Sequence, residues 1–133
     1  MSKQRTLGID PGLARLGWAL IESHGSTTTL VGCGCLETAA GIPAAQRLQQ
    51  LHRRLGAIID QYHPSQLAIE KLFFSRNVST GISVGQARGI VLLAAAEHQL
   101  PTQEFTPTAV KLAVTGDGRA DKRQMGRMIQ ILL

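Results

Sequence analysis

Cysteine is scarce in this chain, acidic residues are outnumbered, and no run approaches the ~20 consecutive apolar residues of a membrane span. The two cysteines, Cys33 and Cys35, lie two apart with no second pair, which excludes a disulfide scaffold and makes a poor zinc site. Same-face neighbours on a strand sit roughly 6.6 Å apart, near the upper limit for a bridge. The expectation is two small buried thiols in a reducing cytoplasm. The basic start Met1–Arg5 is followed by an apolar run broken at once by Asp10-Pro11, unlike a signal peptide. No membrane partner is expected.

What is present points to one folded domain. The chain has 133 residues, 44% hydrophobic and 17% charged, enough for a real core and too short for a multidomain enzyme. Its 14 Lys and Arg against 9 Asp and Glu give a formal charge of +5. The surplus is uneven: residues 1–70 carry 6 basic and 5 acidic side chains, and 71–133 carry 8 and 4. A cationic half favours a polyanionic partner such as nucleic acid.

The hydrophobic period changes along the chain. Thr6–Asp10 is a short apolar run stopped by Pro11-Gly12 and reads as a strand. Arg15–Glu22 alternates, a His24-Gly25-Ser26 turn follows, and Thr27–Glu37 suits a hairpin partner. From Pro43 to Tyr62, Leu48, Leu51, Leu55, Ile58, Ile59 and Tyr62 take helical spacing. Gln66–Glu70 reads as a central strand, Ser79–Gln99 as the longest helix, and Thr102–Phe105 as a short strand. Thr106-Pro107 opens a brief helix that ends before Gly116. Asp121 and Gln124 form a capping-box pattern for a last helix striped by Met125, Met128, Ile129 and Leu132. The order predicts an α/β fold, a mixed five-stranded sheet with helices on both faces. That last helix is still in register at Leu133 without a stop signal, so a further C-terminal segment is expected.

Asp10 and Glu70 are the sharpest candidates for chemistry. Each ends an apolar strand, and open α/β sheets place their sites at the carboxyl ends of strands. If the two strands are parallel neighbours, the carboxylates converge and repel unless a cation sits between them. Hard divalent ions, above all Mg²⁺, meet that need and assist phosphoryl chemistry. Lys122 in the first turn of its helix, where free N–H groups favour phosphate, and Lys111 could supply positive charge. Phe73-Phe74, followed by Arg76-Asn77, is an aromatic pair in a polar loop beside the proposed site, suited to stacking on unpaired bases. Phe74 is expected to turn into the core. Gly81, Gly85 and Gly89 form a smooth ridge on the long helix, suited to close approach by the sheet or by a second subunit.

Gly8-Ile-Asp10-Pro-Gly12 with Gly17, Ala68-Ile-Glu70 with Phe73, and Gly85-Gln-Ala-Arg-Gly89 resemble the RuvC family of Holliday-junction resolvases. Pro107-Thr-Ala-Val-Lys111 and Gly116-Asp-Gly118 with Ala120-Asp-Lys122 extend the resemblance over essentially the whole chain. It implies an RNase H-like fold and a homodimer that cuts two strands of a four-way DNA junction symmetrically, using two Mg²⁺ or Mn²⁺ ions. It also implies the RuvA/RuvB branch-migration machinery as a partner. By the same resemblance Asp10 and Glu70 are catalytic metal ligands, Lys111 and Lys122 the basic active-site residues, and Phe73 the aromatic at the junction centre. The family's remaining acidic ligands come from a helix beyond Leu133, and Asp117 and Asp121 do not replace them.

Rival readings are weaker. Gly81-Ile-Ser83-Val-Gly85 matches a serine-hydrolase elbow, but no strand precedes the serine and the acid and histidine come in the wrong order. His24, His52 and His63 have no metal spacing. An actin-like sugar kinase would need a second domain. A junction-binding module without activity is the remaining alternative, since lacking the further carboxylates would leave binding largely intact.

Overall fold

The structure, a computed structural model, describes residues 2–71 and 78–132. Three strands lead: β1 (Gln4–Asp10), β2 (Arg15–His24) and β3 (Thr27–Glu37). They are followed by α1 (Ala44–Tyr62), β4 (Gln66–Glu70), α2 (Val78–Glu97) and β5 (Thr102–Phe105). Two helices, α3 (Pro107–Thr115) and α4 (Lys122–Leu132), complete the order. It is the order expected from the period changes, with bounds that differ by a few residues. Among the described residues the strands form one sheet in the order β3-β2-β1-β4-β5. β1, β2 and β3 pair antiparallel, whereas β4 and β5 run parallel to β1.

Alternation along the strands decides which face is the core. Leu7, Ile9, Leu67 and Ile69 point one way and are at most 6% exposed. Leu7 pairs with Leu20 on one side and with Leu67 on the other, so the apolar rows meet across three strands. α1 covers this face with Leu51, Leu55, Ile58 and Ile59, the stripe its spacing predicts. α2 adds Ala87, Val91, Ala94 and Ala95, small side chains on a helix that packs against α1. Each buried leucine or isoleucine contributes about 1.5–3 kcal/mol, so this face carries most of the stability.

The opposite face is paved with small residues, Gly8, Gly17, Ala19 and Ala68. α3 and α4 stand over it without burying any residue, and Val110 and Ile129 look across a cavity of about 600 Å³. Helices therefore lie on both faces, but only the α1/α2 layer is tightly packed. The caps of α3 and α4 follow from sequence. Thr106 Oγ1 accepts from Ala109 N–H at 3.0 Å, and Gly116 closes α3 with φ 77°. Asp121 Oδ1 accepts from Gln124 N–H at 2.8 Å while Gln124 Oε1 accepts from Asp121 N–H at 2.9 Å, the reciprocal capping box.

Two expectations need correction. Cys33 and Cys35 are exposed, not buried. They lie opposite Ala19 and Gly17 on the edge strand β3, hence on the sheet face that α1 and α2 do not cover. The second concerns length and apolarity: α2, at 20 residues, is long and apolar enough to cross a bilayer by composition. Here it packs on α1 along one side and is tied to β5 by Arg88. The glycine ridge of α2 also splits: Gly81 is buried, whereas a Cβ at Gly89 would meet nothing within 4 Å.

Candidate active site at the carboxyl edge of the sheet

β1 and β4 pair in parallel, with Ile9 opposite Ile69. The next residue on each strand is the terminal carboxylate, Asp10 or Glu70, and both are exposed. Neighbouring strands lie about 4.8 Å apart, so these two acids stand side by side at the edge where both strands end. Alternation sends their side chains away from the Leu7/Ile9 core, toward the face bearing Gly8 and Ala68. Gly17 lies directly across from Asp10 on β2 and leaves that side of the carboxylate open. The Pro11-Gly12 turn then removes the chain sharply from the edge.

Asp10 and Glu70 form a partition between two clefts. On one side is the cavity of about 600 Å³ over the small-residue face. On the other is a cleft of about 230 Å³, whose remaining walls are Pro11, Lys71, Val84, Arg88 and Pro107. Two carboxylates and two cations thus share the smaller space. Arg88 Nη2 donates to Glu104 Oε1 at 2.6 Å, which fixes the guanidinium against β5. Lys71 continues the β4–β5 ladder, its N–H donating to Phe105 O at 2.8 Å.

The other sequence candidates are distributed differently. Lys111 is half-buried on α3 and Lys122 is exposed at the start of α4, and neither lines either cleft. Phe73, Phe74, Arg76 and Asn77 lie outside the described residues. Asp117 accepts from Arg119 N–H at 2.9 Å within its loop, and Asp121 caps α4, so both acids are engaged locally as expected. Lys71 and Arg88 were missed as site residues. The available signal for Arg88 was a single cation interrupting the apolar stripe of α2, which an interior helix keeps only with a partner.

The donor chemistry fits a hard divalent ion. Two exposed carboxylates on adjacent strand ends supply oxygen ligands, and Mg²⁺ is commonly held by one or two carboxylates together with water and substrate phosphate. Among the described residues no group of three or more His, Cys, Asp or Glu could hold a metal. Glu22, near the other end of the sheet, is held below the usual carboxylate range chiefly by the hydrogen bond from Arg5 Nε at 2.9 Å.

Comparison with known proteins decides the family. Residues 6–133 match the family model described as crossover junction endodeoxyribonuclease RuvC. The chain belongs to the RuvC family. It is 49% identical over 133 residues to the RuvC of Roseiflexus sp. (strain RS-1), covering all of this chain and 79% of that relative. To the RuvC of Chloroflexus aggregans it is 51% identical over 129 residues, 97% of this chain and 79% of the relative. Among solved structures, T. thermophilus RuvC in complex with Holliday junction substrate superposes with a TM-score of 0.92 at 30% identity. That match covers 98% of this chain and 79% of the other. The RNase H-like fold of a RuvC nuclease is therefore the fold of this chain.

Proposed function

We propose that Asp10 and Glu70 hold the divalent cation of a junction-resolving endonuclease, and that the cations around them receive the scissile phosphodiester. RuvC enzymes are crossover junction endodeoxyribonucleases, and hydrolysis of DNA strands at a four-way junction is the activity this chain serves in recombination and repair. The observation that carries the assignment of the site is the parallel pairing of Ile9 with Ile69, which leaves the two carboxylates adjacent at one edge.

Mg²⁺ or Mn²⁺ bound at Asp10 and Glu70 would supply Lewis-acid charge to the phosphate and its attacking water. The chain's own residues do the rest. Asp10 and Glu70 orient that charge, and their unpaired repulsion makes the edge selective for a cation. Lys111 and Lys122 supply positive charge to the substrate strand, the latter beside the free N–H groups that open α4. Phe73 stacks at the unpaired junction centre while Arg76 and Asn77 hold backbone near it. These roles, and a handover from the RuvA/RuvB machinery in the cytoplasm, complete the reading.

Two further features of that reading have support in the fold. Val78, Ile82 and Leu93 form an exposed apolar stripe on α2 that continues past the open position at Gly89. A stripe of this kind suits the homodimer that a two-fold symmetric junction calls for. The relatives are also longer, with about a fifth of their length outside the match. We place the segment that supplies the remaining acidic ligands beside Asp10 and Glu70, on the small-residue side of the sheet. A gel assay of a synthetic four-way junction, with and without Mg²⁺, tests the function. Binding by residues 1–133 and cutting only by a chain of the relatives' length is the expected result; no binding by either would reject it.

A further inference from the structure

We infer that Arg88 is a catalytic residue of the junction-cleaving site, the guanidinium that grips a non-bridging oxygen of the scissile phosphate, with Glu104 as its positioning residue. The inference rests on the endonuclease reading and adds to it a residue from the helix layer beneath the sheet edge.

The argument begins with cost. Arg88 lies on the inward stripe of α2, beside Ala87 and one turn from Val84 and Val91, and its side chain is only 15% exposed. Long charged side chains are rarely taken out of water to this degree without full pairing. Arg88 is not fully paired. Of its five N–H groups, Nη2 donates to Glu104 Oε1 at 2.6 Å, while Nε is closed to solvent and has no partner. A lone Arg–Glu bridge to an edge strand adds little stability, and an orphaned buried donor subtracts from it. The pattern is that of a group kept for a ligand.

Geometry says which ligand. Arg88 lines the 230 Å³ cleft together with Asp10, Glu70 and Lys71. Its anchor is tied to the same edge: Glu104 pairs with Ile69 across β4 and β5, and the next pair is Glu70 with Phe105. Glu104 faces the α1/α2 side, so the edge strand holds the guanidinium beneath the end of β4 that carries Glu70. With Nη2 anchored on Glu104, the planar guanidinium is held in one orientation, and its remaining Nη donors suit a non-bridging oxygen of a phosphate in a way a rotating ammonium cannot reproduce. A cation placed where negative charge grows on the phosphate stabilises the transition state more than the ground state.

The test uses the full-length protein, a synthetic four-way junction and Mg²⁺. R88M, which keeps the volume and removes the charge, is expected to slow single-turnover cleavage about 10²-fold while junction affinity and the thermal midpoint hold. R88K, which keeps the charge and loses the fork, falls between. The decisive readout is a junction carrying a phosphorothioate at the scissile position: the rate ratio of its two diastereomers should change in R88M and R88K. A merely structural residue would slow both diastereomers alike, and that result overturns the inference, as does cleavage by R88M at the wild-type rate. If R88M fails to fold, R88K and E104Q carry the same ratio test. Failure of the wild-type protein to cut the junction would reject the endonuclease reading itself, and the role of Arg88 with it.

Discussion

Gly12 and Arg15 approach so closely that a Cβ added to Gly12 would collide with the Arg15 carbonyl oxygen. The obstacle is backbone, which cannot rotate aside as a side chain can. Gly12→Ala should therefore force the turn after Asp10 open and cost on the order of 1–3 kcal/mol. Because Asp10 is two residues away, the divalent-ion requirement for cleavage should rise as well. Thermal unfolding and a Mg²⁺ titration of cleavage measure the two effects; wild-type values in both would show that the tight turn does not position the carboxylate.

Phe73 stands three residues beyond Glu70, and we propose that it works at the junction centre, where stacking on a base is worth about 1–3 kcal/mol. Phe73→Ala should reduce cleavage and opening of the junction centre, followed by fluorescent base analogues, while binding to plain duplex stays near normal. A fall in thermal stability with no selective loss on the junction would place Phe73 in the core instead.

Acid sensitivity has a definite sign at one position. Arg5 donates to Glu22 and lowers its carboxyl pKa in the folded chain. A depressed carboxylate stabilises the fold above its unfolded pKa, and that contribution disappears as pH falls through the folded value. Glu22→Gln should thus unfold at nearly the same temperature in strong acid as the wild type and lower near neutrality. Melting curves from acid to neutral pH check this; parallel curves for the two proteins would remove the pair from the account.

Much of the fold was legible because the chain announces its period changes. Pro11-Gly12, the His24-Gly25-Ser26 turn and the shift to helical spacing after Pro43 each fall where an element ends or begins. Asp10 and Glu70 were legible for the same reason: each is the first charge after an apolar run, at the end of a strand. The exposure of Cys33 and Cys35 was not, since it depends on β3 being the edge strand and on which face α1 chooses. Arg88 was hidden for a related reason. Nothing local says how α2 is rotated on the sheet, and that rotation alone turns Arg88 into the cleft. Lys111 and Lys122 show the converse, cations with plausible spacing that the fold leaves outside both cleft walls.

The central claim is that Asp10 and Glu70 bind one ion between them, and Mn²⁺ binding to the full-length protein measures it directly. Electron paramagnetic resonance titrations of the wild type, D10N, E70Q and the double variant form a cycle in which a shared ion gives non-additive losses. The account predicts that either single substitution weakens Mn²⁺ binding nearly as much as both together, with junction affinity preserved and cleavage reduced by about 10²–10³-fold or more. Independent, additive losses, or a D10N protein that binds Mn²⁺ as the wild type does, would contradict it.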